Sequence, residues 1–501
     1  MNGATQAVEP PEEAHGDPGL SRRALSLGAA NAIDYLVQFL LPVVLVRCLD
    51  PGTFGQYRLL WLAVGTVMAI VTQAVPGSLF YFLPRLRETG KRLFINQTLL
   101  FLFCAGCLGA FAVSPLNPWL PAKVYELAQH SVLVPAFVLL WVMSSMLDLL
   151  ATAEERVMWQ ARVIVTLSGL RALSLSVAAF VTHEFEPVLW ALLLFVLCKL
   201  GLLLHYIARH HGLKGPVLRW RALADQLRQC APFGASSALY SLRLQADQWI
   251  AAAQFSVGMF ASFSIGPVLA PLVQLCRQSV LQAFLPSASR LQAAGDVRGM
   301  IGLNSRANVM VAGLVYPLLG FAFVFAEEIV TLVYTGAYVD AAAVMRVYIV
   351  GLAALVIELT TVMLLLRQGA YTLMVSLVTL IASVLISWLG AHYYGLAGAA
   401  YGSVAVIYLD LFAMLWRISQ CTRVPLRQLQ DWPALLQPLL WAVGAALLAE
   451  LVADHAVTSA QPLPRLIVGA LVLGLFYGSS VLWLGNCRDW VAALRWRAHK
   501  N

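Results

Sequence analysis

Ten ionisable side chains lie inside runs of sequence that are otherwise apolar: the bases Arg171, Lys199, Arg243, Arg277 and Arg346 and the acids Asp34, Asp148, Asp247, Glu358 and Asp410. In a bilayer each would cost roughly 2.5 to 3.5 kcal/mol on insertion scales, so each needs a partner or a hydrated surround. Helical spacing groups them. Asn31, Asp34 and Gln38 are three and four residues apart and share a face. Ser236, Tyr240, Arg243, Asp247 and Gln254 form a longer polar stripe. Gln274, Arg277, Gln278 and Gln282 form another, behind Pro267 and Pro271, and Gln73 precedes Pro76-Gly77. Arginine offers a planar fork that matches phosphate oxygens, and a carboxylate in a low dielectric can hold a proton or sodium ion. The chemistry open to such groups is binding an anion and carrying an ion. Candidates for a substrate cavity are Asn31, Asp34, Gln38, Gln73, Arg171, Lys199, Tyr240, Arg243, Asp247, Gln274 and Arg277, with Asp34, Glu358 and Asp410 as candidates for ion coupling. Arg243 and Asp247, at i and i+4, could instead neutralise each other. Asp34 could equally be the buried partner of an arginine.

The surrounding sequence decides what kind of element holds these groups. Of 501 residues 60% are hydrophobic and 12% charged, with a mean hydropathy of +0.77, which no soluble core accommodates. A crossing needs about 20 apolar residues. Fourteen runs qualify: 24–47, 58–83, 96–116, 131–152, 160–182, 188–208, 231–255, 261–285, 305–326, 342–366, 369–390, 396–416, 433–452 and 464–485. Strands of a membrane barrel would be half as long and would alternate in polarity, so an all-α polytopic membrane protein is expected.

The distribution of Lys and Arg orients the chain. Taking alternate loops as cytosolic puts 24 basic residues on that side, and the opposite side receives four, Arg47, Arg58, Lys123 and Arg465. Both termini are then expected in the cytosol. The formal charge of +8 follows from this asymmetry toward anionic headgroups and gives no reason to invoke nucleic acid.

The chain also repeats itself. The turn Leu49-Asp50-Pro51-Gly52-Thr53-Phe54-Gly55-Gln56-Tyr57 returns 206 residues later as Phe255-Ser256-Val257-Gly258-Met259-Phe260-Ala261-Ser262-Phe263. Phe82-Leu83-Pro84 before Arg85 and Arg87 is echoed by Phe284-Leu285-Pro286 before Arg290 and Arg298. The expected organisation is a disordered cytosolic tail (1–20), a six-helix bundle (21–208), a basic cytosolic linker (209–230), a second six-helix bundle (231–420) and an appended helix pair with a tail (421–501). Six spans per half place both halves in the same direction, related by an axis along the membrane normal, with a hydrated cavity between them.

Other functions are disfavoured. Loops of roughly 20 residues or fewer leave no room for a soluble catalytic domain, so no enzyme is expected. Gly90-Lys91 is followed by Arg92, not by the Ser or Thr of a phosphate loop. The eight cysteines are scattered, and Cys104-x-x-Cys107 sits in a span with no second pair nearby, so neither metal nor cofactor is expected.

The turn Arg47-Cys48-Leu49-Asp50-Pro51-Gly52-Thr53-Phe54-Gly55-Gln56-Tyr57, preceded by Pro42, resembles the opening signature of bacterial polysaccharide (oligosaccharide) flippases of the Wzx type. Tyr394-Gly395-Leu396-Ala397-Gly398-Ala399-Ala400 is similar to their recurrent small-residue span start. The resemblance implies the multidrug/oligosaccharidyl-lipid/polysaccharide (MOP) exporter superfamily, in which two bundles alternate access. It also implies that spans one, two, seven and eight line the cavity, and that the protein is multi-pass in the bacterial inner membrane. The implied cargo is an undecaprenyl-pyrophosphate-linked oligosaccharide for lipopolysaccharide or exopolysaccharide synthesis. Implied partners are that cargo, membrane lipids, a polysaccharide polymerase and a chain-length regulator. A multidrug or peptidoglycan-precursor exporter shares the layout, and a membrane-embedded glycan polymerase or glycosyltransferase would need a larger extracytoplasmic loop.

Overall fold

The computed structural model describes residues 18–71, 75–85, 88–118, 130–212, 215–457 and 461–483. The expected N-terminal tail through residue 17 and the C-terminal tail from residue 484 lie outside them. Every regular element among the described residues is a helix, with no strand among them. The main helices are α1 (Pro18–Cys48), α2 (Pro51–Val71), α3 (Glu88–Ala112), α4 (Leu133–Ser144), α5 (Leu147–Ala153), α6 (Val157–Thr182), α7 (Phe185–His211), α8 (Trp220–Gln254), α9 (Val257–Ile265) and α10 (Ala270–Ala293). They continue as α11 (Val297–Val324), α12 (Ala326–Tyr334), α13 (Ala341–Leu355), α14 (Thr360–Leu365), α15 (Gly369–Ala399), α16 (Tyr401–Thr422), α17 (Trp432–Ala456) and α18 (Pro462–Trp483).

Among the described residues twelve helical stretches are long and apolar enough to cross a membrane, against fourteen expected. The two that fall short have visible causes. Helix α8 carries Arg243, Gln245, Asp247, Gln248 and Gln254 in its second half. The expected span at 342–366 is broken into α13, of 15 residues, and α14, of six, by the non-helical stretch around Glu358. The described residues divide into two compact units, one drawn from 1–45, 74–110 and 135–231 and another from 46–73, 111–134 and 232–501.

The repeated turns prove to be helix starts. Asp50 caps α2: its Oδ2 accepts the Gly52 N–H at 2.8 Å and the Thr53 N–H at 3.2 Å, and its Oδ1 accepts the Thr53 hydroxyl at 2.5 Å. Ser256 caps α9, its hydroxyl accepting the Met259 N–H at 3.3 Å. The two capped helices pack on each other inside the second unit, where a side chain at Gly55 would strike the Val257 backbone. Glycine at 55 is therefore a requirement of close approach. The small-residue motif at 394–400 also serves packing: α15 bends at Gly395 (φ +67°), and the Gly390 and Gly398 backbones press together with Ala399 and Ala400 fully buried.

The Thr53 hydroxyl, assisted by the two backbone N–H groups, holds the Asp50 carboxyl below its ordinary range in spite of some burial. A depressed carboxyl stabilises the fold above its unfolded-state pKa and loses that contribution as pH falls through the lower, folded value. Replacing Asp50 with Ala should cost about 1 kcal/mol. Thermal melts of the detergent-purified protein should show the deficit at neutral pH and find it absent in strong acid.

Candidate functional site

In the first unit, α1 and α6 bring three sequence candidates together. The Asp34 carboxylate accepts hydrogen bonds from Gln38 Nε2 at 2.6 Å, from the Ser168 hydroxyl and from Arg171 Nη2 at 3.3 Å. Asn31, a turn earlier on the same stripe, is exposed. Lys199 forms a separate cluster. Its Nζ is 2.7 Å from Asp148 Oδ2 and 5.1 Å from the centre of the Trp141 ring, and the residue is buried. At the helix ends of the same unit, Glu154 accepts the Tyr206 hydroxyl at 2.6 Å and lies 2.7 Å from His211 Nε2. Burial pushes the Glu154 carboxyl up, but these hydrogen bonds outweigh it and leave the group below its ordinary range.

The second unit holds Arg243, and its partner is not Asp247. One turn of α8 does put the two on the same side, yet Arg243 Nη1 reaches Asp410 of α16 and the Thr379 hydroxyl of α15 at 3.2 Å, with its guanidinium 5.2 Å from the centre of the Tyr240 ring. Asp247 is left to neutral donors: the Tyr348 phenol at 2.5 Å, the Ser403 hydroxyl and the Gln248 N–H at 2.7 Å. It is 1% exposed. Among the described residues the ten intramembrane groups thus form four base–acid pairs, while Arg346 takes Glu327 from outside the set at 2.9 Å. Asp247 remains the one acid without a base. The three acids expected to couple an ion, Asp34, Glu358 and Asp410, are each held by an arginine.

Arg277 of α10 stands where the expected tenth span breaks. Its Nη1 lies 3.1 Å from Glu358 Oε2 and donates to the Leu355 carbonyl at 3.1 Å, while Nη2 donates to the exposed Gln274 at 2.8 Å. Glu358 Oε1 in turn accepts the Thr360 and Thr361 N–H groups at 2.7 and 3.3 Å, capping α14. The freed backbone of Glu358 is also satisfied, because Asn308 Oδ1 accepts its N–H at 3.1 Å and Asn304 Nδ2 donates to its carbonyl at 2.8 Å. Asn308 continues to Gln430 at 3.0 Å, and all of Asn304, Asn308, Glu358 and Gln430 are buried. The asparagines were missed from the sequence, although their i, i+4 spacing in an apolar run was a readable signal. Gln73 and the side chains of Ser236 and Gln282 lie outside the described residues.

Removing one partner of a buried ion pair strands the other charge, at a cost of about 3 to 5 kcal/mol. The structure therefore predicts that Arg243→Ala lowers the amount of folded protein in the membrane, that adding Asp410→Ala restores most of it, and that adding Asp247→Ala does not. Rescue by the Asp247 change instead would contradict the observed pairing.

Residues 44–343 match the family model for polysaccharide biosynthesis proteins. No curated protein sequence matches the chain. Among solved structures the fold is similar to a lipid II flippase, MurJ, in an inward closed conformation, at TM-score 0.69 and 12% identity over 91% of this chain and 99% of that one. It is also similar to an inward-facing multidrug resistance MATE family transporter of the MOP superfamily, at TM-score 0.62 and 15% identity over 78% and 96% of the two chains. A MOP superfamily transporter from Pyrococcus furiosus shows TM-score 0.50 and 16% identity over 81% and 96%. At such identities the likeness speaks for the fold, and it agrees with the sequence family, whose model covers more than half of the chain. The protein belongs to the polysaccharide biosynthesis protein family, and its fold is the one seen in transporters of the MOP superfamily.

Proposed function

We propose that the chain is a flippase that carries an undecaprenyl-pyrophosphate-linked oligosaccharide across the plasma membrane by alternating access, for surface polysaccharide synthesis. The family match to polysaccharide biosynthesis proteins over residues 44–343 carries this reading. The site gives it a mechanism. Arg243 is sealed against Asp410, so a role for it in grasping cargo is disfavoured. Arg277 differs, since it sits on the exposed polar stripe of Gln274 and Gln278 and is held by a carboxylate at a helix break. A pyrophosphate approaching Arg277 would compete with Glu358 for the same guanidinium, and Glu358 would retain its two backbone N–H partners when displaced. Asp247, a buried acid solvated by two hydroxyls and one N–H, is the group we assign to a driving ion.

A second cargo, that of the lipid II flippase, is favoured by the structural likeness. Deleting the gene separates the two. Loss of a surface polysaccharide, with its lipid-linked repeat unit accumulating on the cytosolic leaflet, supports the first, and cell lysis with a peptidoglycan precursor accumulating supports the second. Arg277→Lys keeps a charge beside Glu358 and loses the fork that matches a pyrophosphate, so it should depress transport at normal protein level. Normal export by that variant would refute the role given to Arg277. Asp247→Asn should leave a folded protein whose residual transport no longer responds to collapse of the ion gradient; unchanged sensitivity to the gradient would remove Asp247 from the coupling.

A further inference from the structure

The end of the second unit that carries the repeated turns holds four described arginines. Two are neutralised: Arg346 lies 2.9 Å from Glu327, and Arg465 lies 3.2 Å from Glu328 and also meets Asp454. Arg47 and Arg58 have no carboxylate partner among the described residues. Arg47 Nη2 donates to the Leu332 carbonyl at 2.5 Å, in the last turn of α12. Arg58 donates from Nε to the Ser264 hydroxyl at 2.9 Å and from Nη2 to the Ser264 carbonyl at 2.7 Å, and the phenol of Tyr334, in that same last turn, is within electrostatic reach. A hydroxyl and a carbonyl solvate a guanidinium without neutralising it. Arg58 keeps its full charge, half-buried near the end of a membrane-spanning helix, where an uncompensated base is expensive.

The repeat sharpens the point. Arg58 and Ser264 are 206 residues apart, the offset of the two turns, so equivalent positions of the duplicated hairpin touch directly. One copy supplies a serine and the other a charge. Holding the turn together needs no arginine at 58, because the packing of α2 on α9 is already provided by Gly55 against Val257. The distribution of Lys and Arg assigns this end of the unit to the extracytoplasmic side, where basic residues are otherwise scarce.

We propose that Arg58, assisted by Arg47, is a receptor for a phosphate group at the level of the outer headgroups. The free Nη1 of Arg58 and the charges of both arginines would meet the phosphate oxygens. The phosphate has two sources, the pyrophosphate of cargo leaving the protein or the phosphodiester of an outer-leaflet lipid. The cargo source rests on the flippase reading above.

The test uses the full chain in phosphatidylcholine nanodiscs, with undecaprenyl diphosphate as the probe and thermal melting as the check on folding. R58Q should weaken binding by roughly tenfold or more, R47Q by less, with the melt unchanged. S264A keeps the charge and should keep the binding. R58K retains the charge and loses the fork, so where R58Q fails to fold, weakened binding by R58K supports the proposal. Wild-type affinity in R58Q, or in R58K if only that variant folds, overturns it, as does loss of binding in S264A with R58Q intact. Repeating the titration in phosphatidylglycerol nanodiscs distinguishes the sources: competition that R58Q abolishes assigns the site to a lipid headgroup, and its absence assigns it to cargo. R277Q in the same assay tests the inner arginine separately. A defect in R277Q with R58Q normal sinks this proposal alone, and the reverse sinks only the role of Arg277.

Discussion

Charge neutralisation in a low dielectric is the constraint on which the rest of this structure depends. Four bases in membrane-spanning runs are each held by an acid, at distances of 3.3 Å or less, and the pairs join helices remote in sequence: Arg171 with Asp34, Lys199 with Asp148, Arg243 with Asp410, Arg277 with Glu358. Such pairs contribute little net stability compared with apolar residues of the same shape, because desolvating two ions offsets most of their attraction. Their value lies elsewhere. An ion pair in a membrane accepts few alternatives, so it fixes which helices meet and in what register. Among the described residues, Asp247 and Arg58 stand out as ionisable groups held by neutral partners alone.

Helix type and approximate position were legible in the sequence because apolar length is the dominant signal for a membrane span; twelve of the fourteen runs overlap helices long and apolar enough to cross, although the helix of 58–83 ends at Val71 and the run 342–366 is broken. The partners were not legible. The spacing of Arg243 and Asp247 satisfies the local pairing rule, but Asp410, 167 residues away, competes for the same guanidinium in a buried setting and wins. Local periodicity reports which residues share a face and is silent about what another helix presents to it. The break at Glu358 was hidden for the same reason. The run 342–366 reads as continuous because its interruption is imposed by Asn304, Asn308 and Arg277 on other helices.

The duplicated turn does the same structural work in both copies and then diverges. Asp50 and Ser256 do the same work, capping helices that then meet through Gly55 and Val257. Those positions serve the fold, and a symmetric pair of caps is sufficient for it. At the next turn of the helices the copies diverge into Arg58 and Ser264, and that divergence cannot be explained by the contact alone, since serine at both positions would leave no charge to solvate. Asymmetry at an otherwise repeated position is thus a more pointed signal of function than the repeat itself.

The break in the tenth span extends the same reasoning to the backbone. Unsatisfied peptide groups are as costly in a membrane as unpaired charges, so irregular chain survives there only where protein groups replace the lost helical bonds. Here the replacement is complete for Glu358: asparagine side chains take its N–H and its carbonyl, while its carboxylate caps the next helix and meets Arg277. A kink needed only for shape could be made by proline, as at Pro267 of the adjoining segment. Building one from four buried polar side chains instead couples the backbone of one helix to the charge state of Arg277 on another. A group that took Arg277 from Glu358 would leave the carboxylate its cap on α14 but remove the charge that balances it, and on the proposed reading this makes the break a joint between Arg277 and the packing of α13, α14 and the loop at Gln430.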